Sequence, residues 1–210
     1  LFLVPSIALL SQTLKEWTAQ AREEIHPYAV CSDQKVTKKA EDIAPHDLQV
    51  GVSTNGAAIA ERFAHSRRAK GMHVIFSTYQ SLPAVHDAQQ QGLEDFDLVI
   101  CDEAHRTTGI TLAGEAESNF VRIHDSDYIR ASKRLYMTAT PRLFDDAVKG
   151  KAADHSAEVA SMDDEGIFGP EFHHLGFGEA VAKNLLTDYR VLVMTVDEEA
   201  GASALAASPG

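Results

Sequence analysis

The 210 residues contain 44% hydrophobic and 24% charged amino acids, a composition that is ordinary for a globular protein of one domain. The formal net charge of −12 argues against a protein that coats nucleic acid by bulk attraction, although a local basic face remains compatible with it. No apolar run approaches the roughly 18 residues of a membrane span, and the first ten residues lack the basic region of a signal peptide. We therefore expect a cytoplasmic protein without a membrane anchor.

Cysteine and basic residues give two further expectations. The spacing of Cys31 and Cys101 fits no zinc-binding pattern, which predicts core thiols in a reducing compartment. Positive charge is concentrated in two short groups, which fit a solvated helix end and loop as well as they fit a phosphate-contacting surface. The groups are Arg62, Arg67, Arg68 and Lys70, and Lys35, Lys38 and Lys39.

The chain begins with a predicted strand, turn and helix. Phe2 to Val4 is apolar, Pro5 turns the chain, and Ser6 is a good residue to cap a helix. The helix carries apolar residues at helical spacing, namely Ile7, Leu10, Leu14, Trp17 and Ala21. The first four of these are predicted to form its core face. His26 and Pro27 are expected to end this helix before a second strand from Tyr28 to Cys31.

The next stretch predicts a surface connection and a second strand–helix alternation. Residues 32–48 are mostly polar, and a helix capped by Ser53 or Thr54 follows. Its expected inward residues are Ala57, Ile59, Ala60 and Phe63. Met72 to Phe76 predicts another strand, and Ser81 with Pro83 predicts the start of a helix that ends near Gly92. Tyr79 fits either a base-stacking position or the core.

The segment DLVICDEAHR, from Asp97 to Arg106, predicts a buried strand that ends at two acids. Residues 98–101 are all apolar without alternation, which is typical of a parallel strand covered on both faces. Asp102 and Glu103 would follow at the carboxyl end of that strand, where open α/β sheets bind ligands. One carboxylate there can hold Mg²⁺ while its neighbour positions a water for phosphoryl transfer.

A second polar group ends a later strand. Thr138 and Thr140 follow the predicted strand from Lys133 to Met137, so their hydroxyls are expected near the acids. Beyond them, residues 143–162 are weakly patterned, and the acidic run at 163–165 is interpreted as a solvated loop. Residues 177–186 predict a helix and residues 189–196 a strand, whereas His173 and His174 are interpreted as structural because neighbours on a strand face opposite ways.

In its letters, Asp102-Glu103-Ala104-His105 resembles the DEAH form of the Walker B motif of superfamily-2 helicases. Three companion segments resemble motifs Ia, Ib and III of that superfamily in the expected order: VPSIALLSQ, STYQS and TATP. The resemblance implies an α/β fold, a RecA-like three-layer αβα sandwich with a mainly parallel central sheet, missing its first strand and P-loop. It implies the first motor domain over residues 1–197, with residues 198–210 as a linker or disordered tail.

The resemblance also implies roles for individual residues. Asp102 would hold Mg²⁺, Glu103 would orient the attacking water, and His105 would relay nucleotide state with Thr138 and Thr140. The nucleic-acid-binding residues that it implies are Pro5, Ser6, Ser77, Thr78 and Tyr79.

More narrowly, DEAHRTTG, LYMTATPR and the closing segment are similar to motor domains of type I and single-polypeptide restriction enzymes and of related large helicases. This implies ATP and Mg²⁺ as cofactors and duplex DNA as the track. It also implies a second RecA-like domain in the same polypeptide, with methyltransferase, specificity and nuclease domains as further companions. The 210 residues contain no G-x-x-x-x-G-K-[ST] loop, so we expect this segment alone neither to hydrolyse ATP nor to unwind DNA.

Two other functions stay open from the sequence. The first is a RecA-like binding or scaffold module without catalysis, which a gene lacking an upstream Walker lysine would favour. The second is an RNA helicase motor domain, which stimulation of the full protein's ATPase by RNA but not by DNA would favour.

Overall fold

The computed structural model describes residues 1–31, 53–66, 69–111, 118–154 and 157–188. The chain divides into two compact units, Leu1–Gly169 and Pro170–Gly210. Several predicted features lie outside the described residues: the connection at 32–48, the lysines at 35, 38 and 39, the arginines at 67 and 68, and the strand at 189–196. The predicted domain boundary at residue 197 also lies outside them and stays a prediction.

A five-stranded sheet forms the centre of the first unit, and every neighbouring pair of its strands is parallel. Its strand order is β2-β3-β1-β4-β6. The strands are β1 (Phe2–Val4), β2 (Ile25–Val30), β3 (Met72–Thr78), β4 (Val99–Cys101) and β6 (Arg134–Tyr136). Helices α1 (Ile7–Gln20), α2 (Gly56–Ser66) and α3 (Leu82–Gln90) connect the first four strands in chain order.

Side chains that alternate along the strands form two cores, one on each face of the sheet. Phe2 and Val4 of β1 pack in the same cluster as Leu10 of α1. Leu3 faces the other way, into a cluster that includes Val85 of α3. Helices therefore cover both faces of a parallel sheet, which confirms the predicted three-layer αβα sandwich.

The beginning of α1 agrees with its sequence signal. Ser6 is extended, and its hydroxyl oxygen accepts a hydrogen bond from the amide of Leu9 at 3.3 Å. Because the first amides of a helix lack partners within it, this bond satisfies one of them. The predicted cap is confirmed, as is the burial of the inward residues Ile7, Leu10 and Leu14.

His26 and Pro27 do not end α1, so that prediction is wrong. The helix ends at Gln20, and both residues lie inside β2, where His26 aligns with His73 of β3. Among the strands that the structure describes, β2 is at the edge of the sheet. An edge strand tolerates proline because one side of its backbone needs no ladder hydrogen bond.

Helix α2 is capped by Asn55 rather than by Ser53 or Thr54. The Asn55 side-chain oxygen accepts the amide of Ala58 at 3.0 Å. Ala57, which was expected to face inward, is exposed, and the buried residue at this turn is Gly56. A Cβ on Gly56 would lie 2.7 Å from the backbone carbon of Asp87 in α3, so glycine permits the two helices to approach closely.

Two further parts of the first unit had no clear sequence signal. A second, antiparallel sheet pairs β5 (Gly109–Thr111) with β7 (Glu158–Ala160), and helix α4 (Asp146–Asp154) lies between them in the chain. The acidic run at 163–165 is not simply a solvated loop. Asp163 forms an ion pair with Lys149, and Asp164 caps the short helix α5 (Glu165–Phe168).

In the second unit, helix α6 spans Phe177–Ala182 and is shorter than the predicted 177–186. His174 Nδ1 lies 3.0 Å from Glu171 Oε1. Within the part of the chain that the structure describes, no helix has both the length and the apolar character that a membrane crossing requires.

Candidate functional site

The predicted acids and hydroxyls lie at one edge of the sheet. Strands β4 and β6 are parallel neighbours, with Cys101 aligned to Tyr136, and both lead to this edge. The backbone continues the pairing one step further, because the amide of Ala104 donates to the carbonyl of Met137 at 2.9 Å. Asp102 and Thr138 therefore follow adjacent strand ends, as the sequence predicted.

His105 connects the two strand ends through its Nδ1 atom. This atom lies 3.0 Å from Thr138 Oγ1, 3.3 Å from Glu103 Oε2 and 3.4 Å from Thr140 Oγ1. An imidazole nitrogen carries at most one proton, so these three oxygens compete for it. The carboxylate can only accept, whereas a threonine hydroxyl can either donate or accept. The arrangement thus has alternative hydrogen-bonding states without any change of fold.

The backbone turns sharply immediately after β4. Asp102 still belongs to the sheet edge, because its amide donates to the carbonyl of Leu3 at 2.9 Å. Glu103 then adopts the left-handed conformation, with φ 50° and ψ 45°. The left-handed conformation costs a residue that has a Cβ about 1–2 kcal/mol, so the surrounding contacts must hold the turn in place. The turn allows two successive acids to stand at the same edge.

The Asp102 carboxylate suits a divalent cation of the Mg²⁺ type. Its Oδ1 accepts the amide of Glu103 at 3.0 Å, which fixes the orientation of the group. The side chain is half-buried, and hard cations of this type prefer carboxylate oxygens. Glu103 retains 40% of its side-chain exposure, so its carboxylate can reach a water molecule at the same edge.

The predicted motif Ib side chains do not face solvent. Strand β3 continues through Thr78, two residues further than expected, and the exposures of Ser77, Thr78 and Tyr79 are 0%, 4% and 0%. The Ser77 hydroxyl donates to the carbonyl of Thr78, and the Thr78 hydroxyl donates to Ser81. In this conformation the three side chains are buried, and their contacts with a nucleic acid stay a prediction.

Tyr79 instead supports the acidic turn from inside the protein. Its hydroxyl donates to the backbone carbonyl of Asp102 at 2.8 Å, and its ring stacks on Phe120 with 5.0 Å between centroids. Burial is the main cause that raises the pKa of this phenol, and the nearby Cys101 and Asp102 raise it further. Tyr79 therefore remains a neutral donor, and of its two interpretations the structure supports the core position.

The other predicted contact residues lie at the end of β1. Pro5 is buried, and its carbonyl accepts the side-chain amide of Gln80 at 3.4 Å. Ser6 is half-buried at the start of α1. Asn119 reaches the same place, where its side-chain amide donates to the carbonyl of Gln80 at 3.3 Å. The exposed Gln80 and the half-buried Asn119 were missed, because only the folded chain brings them beside Pro5.

Lys70, from one of the predicted basic groups, lies away from this edge, and the two cysteines lie in the core. Lys70 precedes the first residue of β3, so it lies at the amino edge of the sheet, opposite Asp102. Cys31 and Cys101 are buried, which confirms their prediction as core thiols. Burial raises the pKa of the Cys101 thiol to about 12, so it stays protonated and unreactive although it precedes the acids directly.

Comparisons with known proteins agree with this geometry. The chain is 34% identical over 142 residues to a protein named as a probable helicase of African swine fever virus, a match that covers 68% of this chain and 14% of the viral protein. The corresponding protein of a Malawi isolate is 33% identical over 163 residues, which cover 76% of this chain and 16% of that protein. The chain therefore spans only a small part of the relatives that it matches.

Two solved structures share the fold. One is the type ISP restriction-modification enzyme LlaGI, as a nuclease-deletion mutant in complex with a DNA substrate mimic, with TM-score 0.66 and 34% identity over 90% of this chain and 14% of that one. The other is the ATP-dependent type ISP restriction-modification enzyme LlaBIII bound to DNA, with TM-score 0.70 and 38% identity over 90% of this chain and 12% of that one. These neighbours confirm the RecA-like fold.

The family model described as type III restriction enzyme, res subunit, matches residues 1–143. That range includes β1, both acids and the two threonines beyond β6. The chain accordingly belongs to this helicase-related family.

Proposed function

We propose that this chain is part of an ATP-dependent DNA translocase motor of a cytoplasmic restriction-modification system. The observation that carries the proposal is the link from Glu103 through His105 to Thr138, which joins two strand ends at the ligand-binding edge of a parallel sheet. The two solved neighbours support DNA as the partner, since both are complexes with DNA or a DNA mimic. One of them is described as ATP-dependent.

In the proposed reaction, Asp102 and Glu103 divide two tasks. Asp102 would hold Mg²⁺ through the carboxylate that the Glu103 amide orients. A bound Mg²⁺ would neutralise charge on the phosphates of ATP. Glu103, whose side chain is 40% exposed, would hold a water in line and accept its proton as it attacks. The 210 residues contain no phosphate-binding lysine loop, so another part of the longer protein would supply it.

His105 would report the state of Glu103 to the end of β6. When the Glu103 carboxylate engages water, its contact with His105 Nδ1 weakens, and the imidazole can bond fully to Thr138 or Thr140. The two threonines would then pass this change to a second RecA-like domain of the same polypeptide. Hydrolysis would in this way alter the interface between the two motor domains.

The DNA track would cross the same edge of the sheet beside Pro5 and Ser6. Gln80 and Asn119 supply the exposed amides there, whereas Ser77, Thr78 and Tyr79 support the surface from below. Side-chain amides and hydroxyls at such positions bind sugar and phosphate and carry no sequence information. Methyltransferase, specificity and nuclease domains of the longer protein would supply recognition and cleavage.

Glu103→Gln in the full-length protein tests the proposal. Glutamine keeps the size of the side chain but cannot accept the proton, so ATP should still bind while DNA-stimulated hydrolysis falls by about 10²-fold or more. Glu61→Gln, the same change on the exposed face of α2, is the matched control and should retain wild-type turnover. Normal turnover in Glu103→Gln would remove the catalytic assignment. Stimulation of the ATPase by RNA but not by DNA would show that the motor moves on RNA.

A further inference from the structure

A histidine behind the acidic turn makes two directional hydrogen bonds. His124 ends a short 3₁₀ helix, Val121–His124, and its side chain is mostly buried. Its Nε2 lies 3.0 Å from the carbonyl oxygen of Thr107, and its Nδ1 lies 2.9 Å from the hydroxyl of Tyr136. A carbonyl can only accept, so Nε2 must carry the proton. In the neutral ring Nδ1 then accepts from Tyr136, whereas the other neutral tautomer would lose the bond to the Thr107 carbonyl.

These two bonds connect His124 to the turn that carries His105 and to the end of β6, which precedes Thr138. Thr107 is the last residue of the 3₁₀ turn Ala104–Thr107, which carries His105, and its hydroxyl donates to the carbonyl of Ala104 at 2.8 Å. Tyr136 is the last residue of β6 and lies two positions before Thr138. The backbone link between Ala104 and Met137 holds only the start of the turn, whereas His124 holds its end.

The surroundings of His124 keep it neutral. Burial is the main cause that lowers its pKa, the nearby Arg134 lowers it as well, and the bond to the Thr107 carbonyl opposes both. The ring of Phe168 packs edge-on against His124 and Tyr136, with centroid distances of 4.7 and 4.9 Å. These contacts cover part of both rings and leave Tyr136 as the hydroxyl partner of His124.

We infer that His124 and Tyr136 are positioning residues that fix the distance between His105 and Thr138, and so set how strongly DNA stimulates ATP hydrolysis. The inference rests on the proposed function, which it deepens, because it assigns control of the His105–Thr138 link to residues outside the recognised motifs. Neither residue touches the reacting groups. A loss of either hydrogen bond would let the turn and the strand end move independently.

Tyr136→Phe is the sharpest variant, since it removes the hydroxyl and keeps the ring that packs on Phe168. In the full-length protein the ratio of DNA-stimulated to basal ATPase should fall about fivefold to tenfold, the effect expected for the loss of one hydrogen bond. Tyr28→Phe, on β2 at the other end of the strand order, removes a hydroxyl that contacts Ser66 of α2; it is the matched control and should leave the ratio unchanged.

A double-mutant comparison separates positioning from general destabilisation. If His124 and Tyr136 act through the His105–Thr138 link, Tyr136→Phe should have little further effect on the ratio once Thr138→Val has removed that link. Additive losses in the double mutant, or an unchanged ratio in Tyr136→Phe alone, would overturn the inference. A fall in all activities together with a lower melting temperature, reversed by stabilising conditions, would also count against it.

A measurement without turnover covers the case in which the proposed function itself fails. The imidazole NMR signals of His105 in the full-length protein should shift in Tyr136→Phe, because the partner of Nδ1 moves. Signals that stay unchanged would overturn the inference. If the wild-type protein lacks DNA-stimulated ATPase and the signals still shift, the proposed function falls and the positioning role stands.

Discussion

The Nδ1 atom of His105 lies 3.0 Å from the hydroxyl oxygen of Thr138, and this contact joins the turn after β4 to the end of β6. The same hydroxyl oxygen accepts the amide of Thr140 at 3.1 Å, so it is already oriented by its own strand end. A hydroxyl with one fixed acceptor role has a single proton left to donate. The state of His105 therefore decides whether the Thr138 proton has a partner.

Replacing the threonines should give effects of different size. Thr138→Val keeps the shape and removes the hydroxyl, and we expect DNA-stimulated ATPase to fall about tenfold, whereas Thr138→Ser should retain most of it. Thr140→Val should cost less, because its contact with His105 is longer at 3.4 Å. Steady-state ATPase assays with saturating DNA measure the difference, and equal losses in the two valine variants would contradict the assignment.

Asp102→Asn should change the response to Mg²⁺ more than the response to DNA. The amide oxygen can still accept the Glu103 backbone amide that Oδ1 accepts now, so the turn should keep its conformation. The lost charge should raise the Mg²⁺ concentration needed for half-maximal ATPase by about tenfold or more. A titration with MgCl₂ at fixed ATP measures this shift, and an unchanged midpoint would show that another group holds the cation.

Gln80→Ala should weaken DNA binding, because Gln80 is the exposed amide that bridges the ends of β1 and β3. The loss of one polar contact predicts about a fivefold rise in the dissociation constant for nonspecific duplex. Gln91→Ala, at the opposite end of α3, is the matched control. Fluorescence anisotropy at one fixed salt concentration compares them, and equal affinities would show that the track lies elsewhere.

The sequence was sufficient for the arrangement of the acids because their signal depends on local pattern. An unbroken apolar run predicts a strand that is covered on both faces, and the carboxyl end of a parallel strand is the ligand edge whichever strands are its neighbours. Val99 and Cys101 pack on one face of the sheet and Ile100 on the other, as this argument requires. The order of Asp102 and Thr138 along the chain then sufficed to predict that they lie at one edge.

Other features depended on tertiary position, which local pattern does not carry. Pro27 is compatible with β2 only because that strand lies at the edge of the sheet. Ser77 and Thr78 resemble helix-start hydroxyls, but the ladder with β1 continues as far as Thr78 and turns their side chains inward. Strands β5 (GIT) and β7 (EVA) each have one large apolar residue among three, which is too little for a strand signal.

Two glycine substitutions should have opposite effects on stability, because Gly56 lies where α2 meets α3 and Gly150 lies in open space. Gly56→Ala would bring a Cβ within 2.7 Å of the Asp87 backbone, and we expect a loss of about 1–3 kcal/mol in the free energy of unfolding. Gly150→Ala, in α4, meets no atom within 4 Å and should gain about 0.5–1 kcal/mol from the higher helix propensity of alanine. Urea denaturation followed by circular dichroism measures both, and a stable Gly56→Ala protein would contradict the helix contact.

His124 predicts a dependence of stability on pH. Its pKa in the folded protein is lowered from the ordinary value of 6.5, mainly by burial. In the unfolded chain, His124 is protonated as the pH falls through about 6.5, whereas in the folded protein it is protonated only at lower pH. Between these two pH values the unfolded state therefore binds more protons than the folded state. The contribution of His124 to stability is complete above pH 6.5 and is lost as the pH falls toward the folded pKa, with a slope of at most about 1.4 kcal/mol per pH unit.

His124→Gln isolates this contribution, because glutamine can donate to the Thr107 carbonyl but does not titrate. Free energies of unfolding measured by urea denaturation between pH 5 and 8 should converge for wild type and His124→Gln as the pH falls, with wild type more stable at the upper end. Parallel curves over the whole range would show that the imidazole keeps its ordinary pKa in the folded protein. That outcome would contradict the lowered pKa that burial produces.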